Sequence, residues 1–189
     1  MSRSYRISVS ESVRRVVCAD DYVSSQLEML DILPADQMAD LLAEELVKAG
    51  FCRDGDTVVR IDGDTEVSVD LKSGTVTVRR QSSTEAEASG TLAGRSYDQN
   101  GKNAKKVRSS LTEKLKEELE TNVANQQNEL QKKVTNQLEA ELADLRQELD
   151  QAANRATAEA LKQKAAQIGQ IKEVTEDPES GSLTIVVEV

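Results

Sequence analysis

The sequence predicts an α+β protein: a small antiparallel β-meander with short helices, a long coiled-coil-like helix or helical hairpin, and a C-terminal β-hairpin. Three observations carry this expectation. From Lys102 to Ile168 the chain contains neither Pro nor Gly and is rich in Ala, Glu, Gln, Lys and Leu, the composition of one very long helix or of two folded back. Short alternating runs separated by Gly-containing turns fill much of the first half. The last twenty or so residues repeat that turn-and-strand design. Residues 1–95 are expected to form a small α+β domain, 96–103 a linker, 104–168 the helical segment and 169–189 the hairpin.

Taken in order, Tyr5, Ile7 and Val9 alternate with Arg6, Ser8 and Ser10, as in a half-buried strand. Val13, Val16 and Val17 extend the apolar content without a clean period. Ser24 or Ser25 is placed to cap a short helix carrying Leu27, Leu30 and Leu33. Pro34 suits the first turn of a second helix, whose Met38, Leu41, Leu42, Leu46 and Ala49 share a face. Gly50 is a natural terminator, and Phe51, the only Phe, is expected to anchor the helix end to the sheet. Strands follow at Thr57 to Ile61, Glu66 to Leu71 and Thr75 to Arg79, joined by Asp62-Gly63-Asp64 and Lys72-Ser73-Gly74. From Gln81 to Lys105 the composition turns to Ser, Thr, Glu, Gly and Asn; Thr84 to Leu92 is a candidate edge strand, and Tyr97 to Lys102 reads as a flexible linker.

One turn design occurs twice. Asp70-Leu71-Lys72-Ser73-Gly74 resembles Asp177-Pro178-Glu179-Ser180-Gly181, and each precedes an alternating strand. In both, the Asp is expected to bond the following backbone while Gly takes a positive φ. The second copy would join Ile171 to Thr175 with Leu183 to Val189.

An apolar ridge runs along the long helix: Leu111, Leu115, Leu119 and Val123, then, after a polar step near Gln126, Leu130, Val134, Leu138, Leu142, Leu145 and Leu149. Its mean spacing is about 3.8 residues, wider than the 3.5 of a left-handed coiled coil. Only Leu138, Leu142, Leu145, Leu149, Ala152 and Ala156 keep the four-three alternation of heptads. A continuous helix would be a rod of roughly 95 Å; a folded one would bend at Asn122 to Asn128. Because a lone helix cannot leave a leucine ridge in water, the continuous form calls for a partner helix. The ten ridge residues are therefore the candidate homo-oligomer interface. The terminal hairpin, marginal by itself, must also dock on something.

Composition narrows function. Lys plus Arg number 24 against 34 Asp plus Glu, a net charge of −10 that opposes binding to nucleic acid or anionic lipid. Aromatics are 2% of residues, so the core must be small and aliphatic. No His is present, which removes the commonest general base and metal ligand. Cys18 and Cys52 read as reduced, packed thiols of a cytoplasmic protein. No signal peptide or membrane-spanning run is evident.

Asp54-Gly55-Asp56 and Asp62-Gly63-Asp64-Thr65-Glu66 look like calcium loops, but Val67 stands where Gly is required and no Glu closes the loop. Glu85 or Glu87 with Glu176 or Asp177 is the one conceivable acid–base pair. Gly90, Gly94 and Gly101 have neither P-loop nor dinucleotide spacing. Lys102, Lys105, Lys106 and Arg108 open the long helix, where acids are usually preferred, and form a candidate patch for an acidic partner. No catalytic residue, cofactor or metal site is expected.

The opening, Tyr5-Arg6-Ile7-Ser8-Val9-Ser10-Glu11-Ser12-Val13, the segment from Pro34 to Arg79 and the closing stretch from Gly169 through Ile185 resemble the uncharacterised accessory-domain proteins of bacterial FtsH ternary systems. That family is found beside AAA+ ATPases and von Willebrand A-type proteins. The resemblance implies an accessory component of an ATP-driven remodelling or conflict-response assembly and brings no catalytic motif. The expected function is thus a non-enzymatic, self-associating scaffold or adaptor in the cytoplasm, with an AAA+ system as a further partner. The alternatives are a membrane-surface coiled-coil stress protein, disfavoured because the long helix has mixed charge and no aromatics, and a small enzyme.

Overall fold

The computed structural model describes residues 4–177 and 182–188. The elements are β1 (Tyr5–Gln26), α1 (Ala35–Lys48), β2 (Cys52–Asp54), β3 (Thr57–Asp62), β4 (Thr65–Asp70), β5 (Thr75–Ser96), α2 (Lys102–Ile168), β6 (Gln170–Asp177) and β7 (Ser182–Glu188). The first five strands form one sheet in the order β1-β5-β4-β3-β2, and β6 pairs with β7 alone. The fold is α+β, as the sequence predicts. Two compact units divide the chain, one from Met1–Asp21 and Gln81–Asn136, the other from Tyr22–Arg80 and Gln137–Val189.

In the first unit, β1 and β5 form a two-stranded ribbon under the beginning of α2. Alternation along both strands sorts their side chains. Ile7, Val17 and Ala19 are buried from β1, and Ala86 and Ala88 from β5. Val17, Ala86 and Ala88 form one cluster with Leu115, Leu119 and Val123 of α2, and Val9, Val13, Leu92 and Leu130 pack at its margin. The helix lies so close to β5 that a side chain at either of two inward positions would force its neighbours to shift. A Cβ at Gly90 would stand 2.9 Å from Leu115 Cδ1, and one at Gly94 would stand 3.1 Å from both Val107 Cγ1 and Leu111 Cδ1. Of the three glycines that match no nucleotide-binding pattern, Gly90 and Gly94 thus serve helix–strand packing, whereas a Cβ at Gly101 would meet Asp98.

The second unit carries the meander. β3 and β4 pair in register from Thr57 with Asp70 to Asp62 with Thr65, and β4 pairs with β5 from Thr65 with Arg80 to Val69 with Val76. Gly74 adopts φ 68°, and Asp70 Oδ1 accepts the backbone N–H groups of Lys72 and Ser73 at 3.0 and 2.8 Å. Those bonds, the one from Ser73 foremost, hold the Asp70 carboxyl below its ordinary range. The turn thus follows the expected chemistry; its second copy at Pro178 to Gly181 lies outside the described residues. Pro34 caps α1, whose Met38, Leu41, Leu42 and Leu46 are buried. Phe51 is 2% exposed directly after the helix.

Three expectations are corrected. No helix forms around Leu27 and Leu30, because β1 continues to Gln26 and the chain to Pro34 is irregular. The segment from Gln81 is not an edge strand: β5 runs unbroken to Ser96 between β1 and β4, and in the short connection that follows Asp98 accepts from Ser96 Oγ at 2.9 Å and Ala104 N at 2.8 Å. The cysteines are free, as expected, but both are exposed. Cys18 points outward between buried Val17 and Ala19. Between the continuous and folded forms of the long helix, the structure has the continuous one, with no break at Asn122 to Asn128.

Replacing Gly90 with Val should lower the unfolding free energy by about 1–3 kcal/mol through overpacking. Gly90→Ala should be milder, because the Leu115 methyl it meets can rotate away. Urea denaturation of the two variants against the parent chain measures the difference.

Candidate interaction surfaces

The ridge on α2 is covered within the chain. Leu115, Leu119, Val123, Val134, Leu138, Leu145 and Leu149 are all buried, while Leu111, Leu130 and Leu142 are half-buried. In the second unit, Leu138, Leu145 and Leu149, with Ala152, Ala153, Ala156 and Ala160, join one cluster with Leu42, Leu46, Phe51 and the inward valines of β3, β4 and β5. Of the ten residues taken from the sequence as an oligomer interface, seven are thus buried within the chain, Leu130 and Leu142 pack against its clusters, and Leu111 lines a groove. The premise that the ridge needs a second helix falls away.

Polar clamps flank this core at seven-residue intervals. Arg80 donates to Glu141 Oε1 at 2.6 Å and to Thr65 Oγ1 at 2.8 Å, and Thr65 Oγ1 donates to Glu141 Oε2 at 2.9 Å. Arg60 donates to both oxygens of Glu148, at 2.7 and 2.9 Å, and to the Ala49 carbonyl at 3.1 Å. Its guanidinium also lies 4.6 Å over the Phe51 ring, so one side chain joins β3, the end of α1 and α2. Arg155 donates to Glu45 Oε2 at 2.9 Å. The Arg60 bonds hold the Glu148 carboxyl below its ordinary range, against a smaller opposing effect of desolvation. Lys48 first, and then Arg155, do the same for Glu45.

The groups weighed for chemistry serve local structure. Asp56 pairs with Lys72 at 2.6 Å, Asp62 with Arg60 at 2.8 Å, and Glu85 with Arg14. Gly55 and Gly63 take φ of 62° and 61° in the two acidic turns. The side chains of Glu176 and Asp177, partners in the conceivable acid–base pair, lie outside the described part. Among the described residues no group of His, Cys, Asp or Glu is placed to hold a metal ion, and no helix is long and apolar enough to cross a membrane.

Among the described residues, two grooves with aliphatic floors and one half-buried hairpin face stand out. In the second unit a groove of about 470 Å³ has an aliphatic floor that includes Leu27, Val78 and Leu149, with Arg146 and Asp150 at its rim. In the first unit a groove of about 530 Å³ is lined by Arg95, Tyr97, Lys106, Val107 and Leu111. Tyr97 is 78% exposed, and the first turn of α2 beside it holds no acidic residue. The half-buried face belongs to the terminal hairpin, where Ile171 pairs with Val187, Val174 with Ile185 and Glu176 with Leu183. A bulge between Ile171 and Glu173 resets the alternation, so Ile171 and Val174 point the same way. Five aliphatic residues thus share one face of β6–β7. None of them belongs to either buried cluster among the described residues.

The sequence signalled the basic helix start and the hairpin, but not the clamps. Their mark was Glu141, Glu148 and Arg155 at equal spacing beside the ridge.

Residues 1–189 match a family described as FtsH ternary system domain X5, and the chain belongs to that family. No curated protein and no solved structure matches it.

Two outcomes follow from the packing. Leu138→Ala should lower stability by about 2–5 kcal/mol while leaving the mass in solution as it is, read by denaturation and light scattering together. Glu148 stabilises the fold while ionised, because its folded-state pKa lies below the ordinary 4.5. That contribution is complete above about pH 4.5 and is lost as the pH falls through the lowered folded value. Glu148→Gln should therefore cost about 1 kcal/mol at neutral pH, the value expected for a charge-assisted pair discounted for partial solvent exposure. The variant should also show a shallower loss of Tm on acidification.

Proposed function

We propose that this member of the FtsH ternary system domain X5 family is a non-enzymatic, self-associating adaptor, working in the cytoplasm as an accessory subunit of an AAA+ remodelling or conflict-response system. The observation that carries the proposal is the family match along all 189 residues. Every part of the fold described above, long helix and terminal hairpin included, lies within the family's span.

The use of the charged side chains supports a binding role. Arg60, Arg80, Glu141 and Glu148 fasten α2 to the sheet, and Asp56, Asp62 and Asp70 shape turns. Both grooves have aliphatic floors and charged rims, as protein-docking surfaces do. A lipid-surface role is disfavoured, because the apolar face of α2 is already spent on the sheet.

The test is reconstitution with an AAA+ ATPase of an FtsH ternary system. The two proteins should co-elute on size exclusion, and the chain should change the ATPase rate while hydrolysing no ATP alone. Separate elution and an unchanged rate would remove the accessory role.

A further inference from the structure

We propose that β1 pairs along its free edge with β1 of a second copy, antiparallel and about a two-fold axis at Val13, so that two sheets become one. The proposal rests on the self-association included above and gives it a place and a register.

The first observation is the edge. β1 is 22 residues long and stands at one end of the sheet order, so among the described residues no strand pairs with its outer side. An edge of that length presents a row of backbone donors and acceptors ready for another strand. The part of it in the first unit, Tyr5 to Asp21, is roughly 55 Å long.

The second is a pair of charges on the inner face of that strand. Ile7, Val9, Val13, Val17 and Ala19 mark the face, all buried or half-buried, and Glu11 and Arg15 share it by alternation. Glu11 is half-buried, yet neither it nor Arg15 makes a hydrogen bond or ion pair among the described residues. Inward charges on an edge strand keep foreign strands away. A second copy is the exception, because it supplies the partner that each charge lacks.

The third is register. In an antiparallel pair about a two-fold axis normal to the sheet, residues equally far from the axis on either side come directly opposite each other. With the axis at Val13, Glu11 of each copy faces Arg15 of the other, Arg6 faces Asp20, Val9 faces Val17 and Ile7 faces Ala19. All of Tyr5 to Asp21 is then paired. The neighbouring registers fail on charge. An axis at Glu11, Arg14 or Arg15 sets that residue against its own copy. An axis at Ser10 sets Arg6 against Arg14, one at Val16 sets Glu11 against Asp21, and one at Ser12 pairs no charges. Like charges directly opposite are destabilising and unlike ones stabilising, so the two inward charges reject misaligned copies and admit one alignment. That alignment forms about sixteen backbone hydrogen bonds, more than the ten or so of an ordinary interface.

The experiment uses the full-length chain with Cys18 and Cys52, its free cysteines, replaced by Ser and with Val13→Cys added. The axis brings position 13 against itself, within the Cα span of a disulfide, so mild oxidation should yield a covalent dimer. In the parent chain the two copies of Cys18 would stand roughly 33 Å apart, and oxidation should link none. In sedimentation at roughly 100 μM, where a micromolar contact is well populated, the parent should be a dimer. E11R and R15E alone should each weaken dimerisation roughly tenfold. An equal mixture of the two should restore it, because each copy then meets opposite charges on the other. Circular dichroism checks that each variant keeps its helix. A parent chain that stays monomeric overturns the proposal and the self-association with it, leaving the AAA+ reconstitution to be judged by itself. A parent that dimerises while Val13→Cys stays unlinked, that links through Cys18, or whose charge variants show no rescue on mixing overturns the edge contact while self-association stands. Should a charge reversal cost helix content, the Val13→Cys linkage decides alone.

Discussion

One face of a five-stranded sheet must be kept from water, and a single helix covers much of it. The buried residues that β1, β3, β4 and β5 give to the two cores are aliphatic, and α2 supplies the opposing layer in each unit. Much else follows from that layer. The strand beneath α2 in the first unit is built from Ala and Gly so the helix can lie close. In the second unit α1 shares the task, and Arg60 binds its last turn to α2. The opposite face of the ribbon is mostly Ser, Thr, Arg and Glu, as suits a sheet with one wet side.

Some of this was legible in the residues. The meander, its two turns, the Pro34 start and Gly50 end of α1, and the pairing of the terminal hairpin all have strong local signatures, and they recur in the structure. The long helix was legible as a helix, but its neighbour was not. Periodic leucines report that a face is buried without saying against what, and a ridge flanked by mixed charges looks alike whether it meets another helix or its own sheet. Leu138, Leu142, Leu145 and Leu149 keep heptad spacing, yet the charges beside them reach Arg80, Arg60 and Glu45 on the chain's own sheet and α1.

The strand from Gln81 to Ser96 was obscured for a related reason. Its inward positions 86, 88, 90, 92 and 94 are Ala, Ala, Gly, Leu and Gly, residues of low strand preference chosen by the proximity of the helix. In β1 the alternation was hidden by Val16 and Cys18 on the outer face and by Glu11 and Arg15 on the inner one. A two-residue period survives in both strands once side-chain size is considered along with polarity.

The spacing of the three clamps has a further consequence. From Ala152 onward the inner face of α2 is nearly all alanine, a smooth surface along which a helix might settle one heptad out of place at little loss of burial. The signs forbid it. In the native alignment Glu141, Glu148 and Arg155 face Arg80, Arg60 and Glu45. Slipping seven residues one way sets Arg155 against Arg60, and slipping the other way sets Glu148 against Glu45. Either error confronts like charges, so the acidic–acidic–basic order works as a ratchet that admits one seating of the helix.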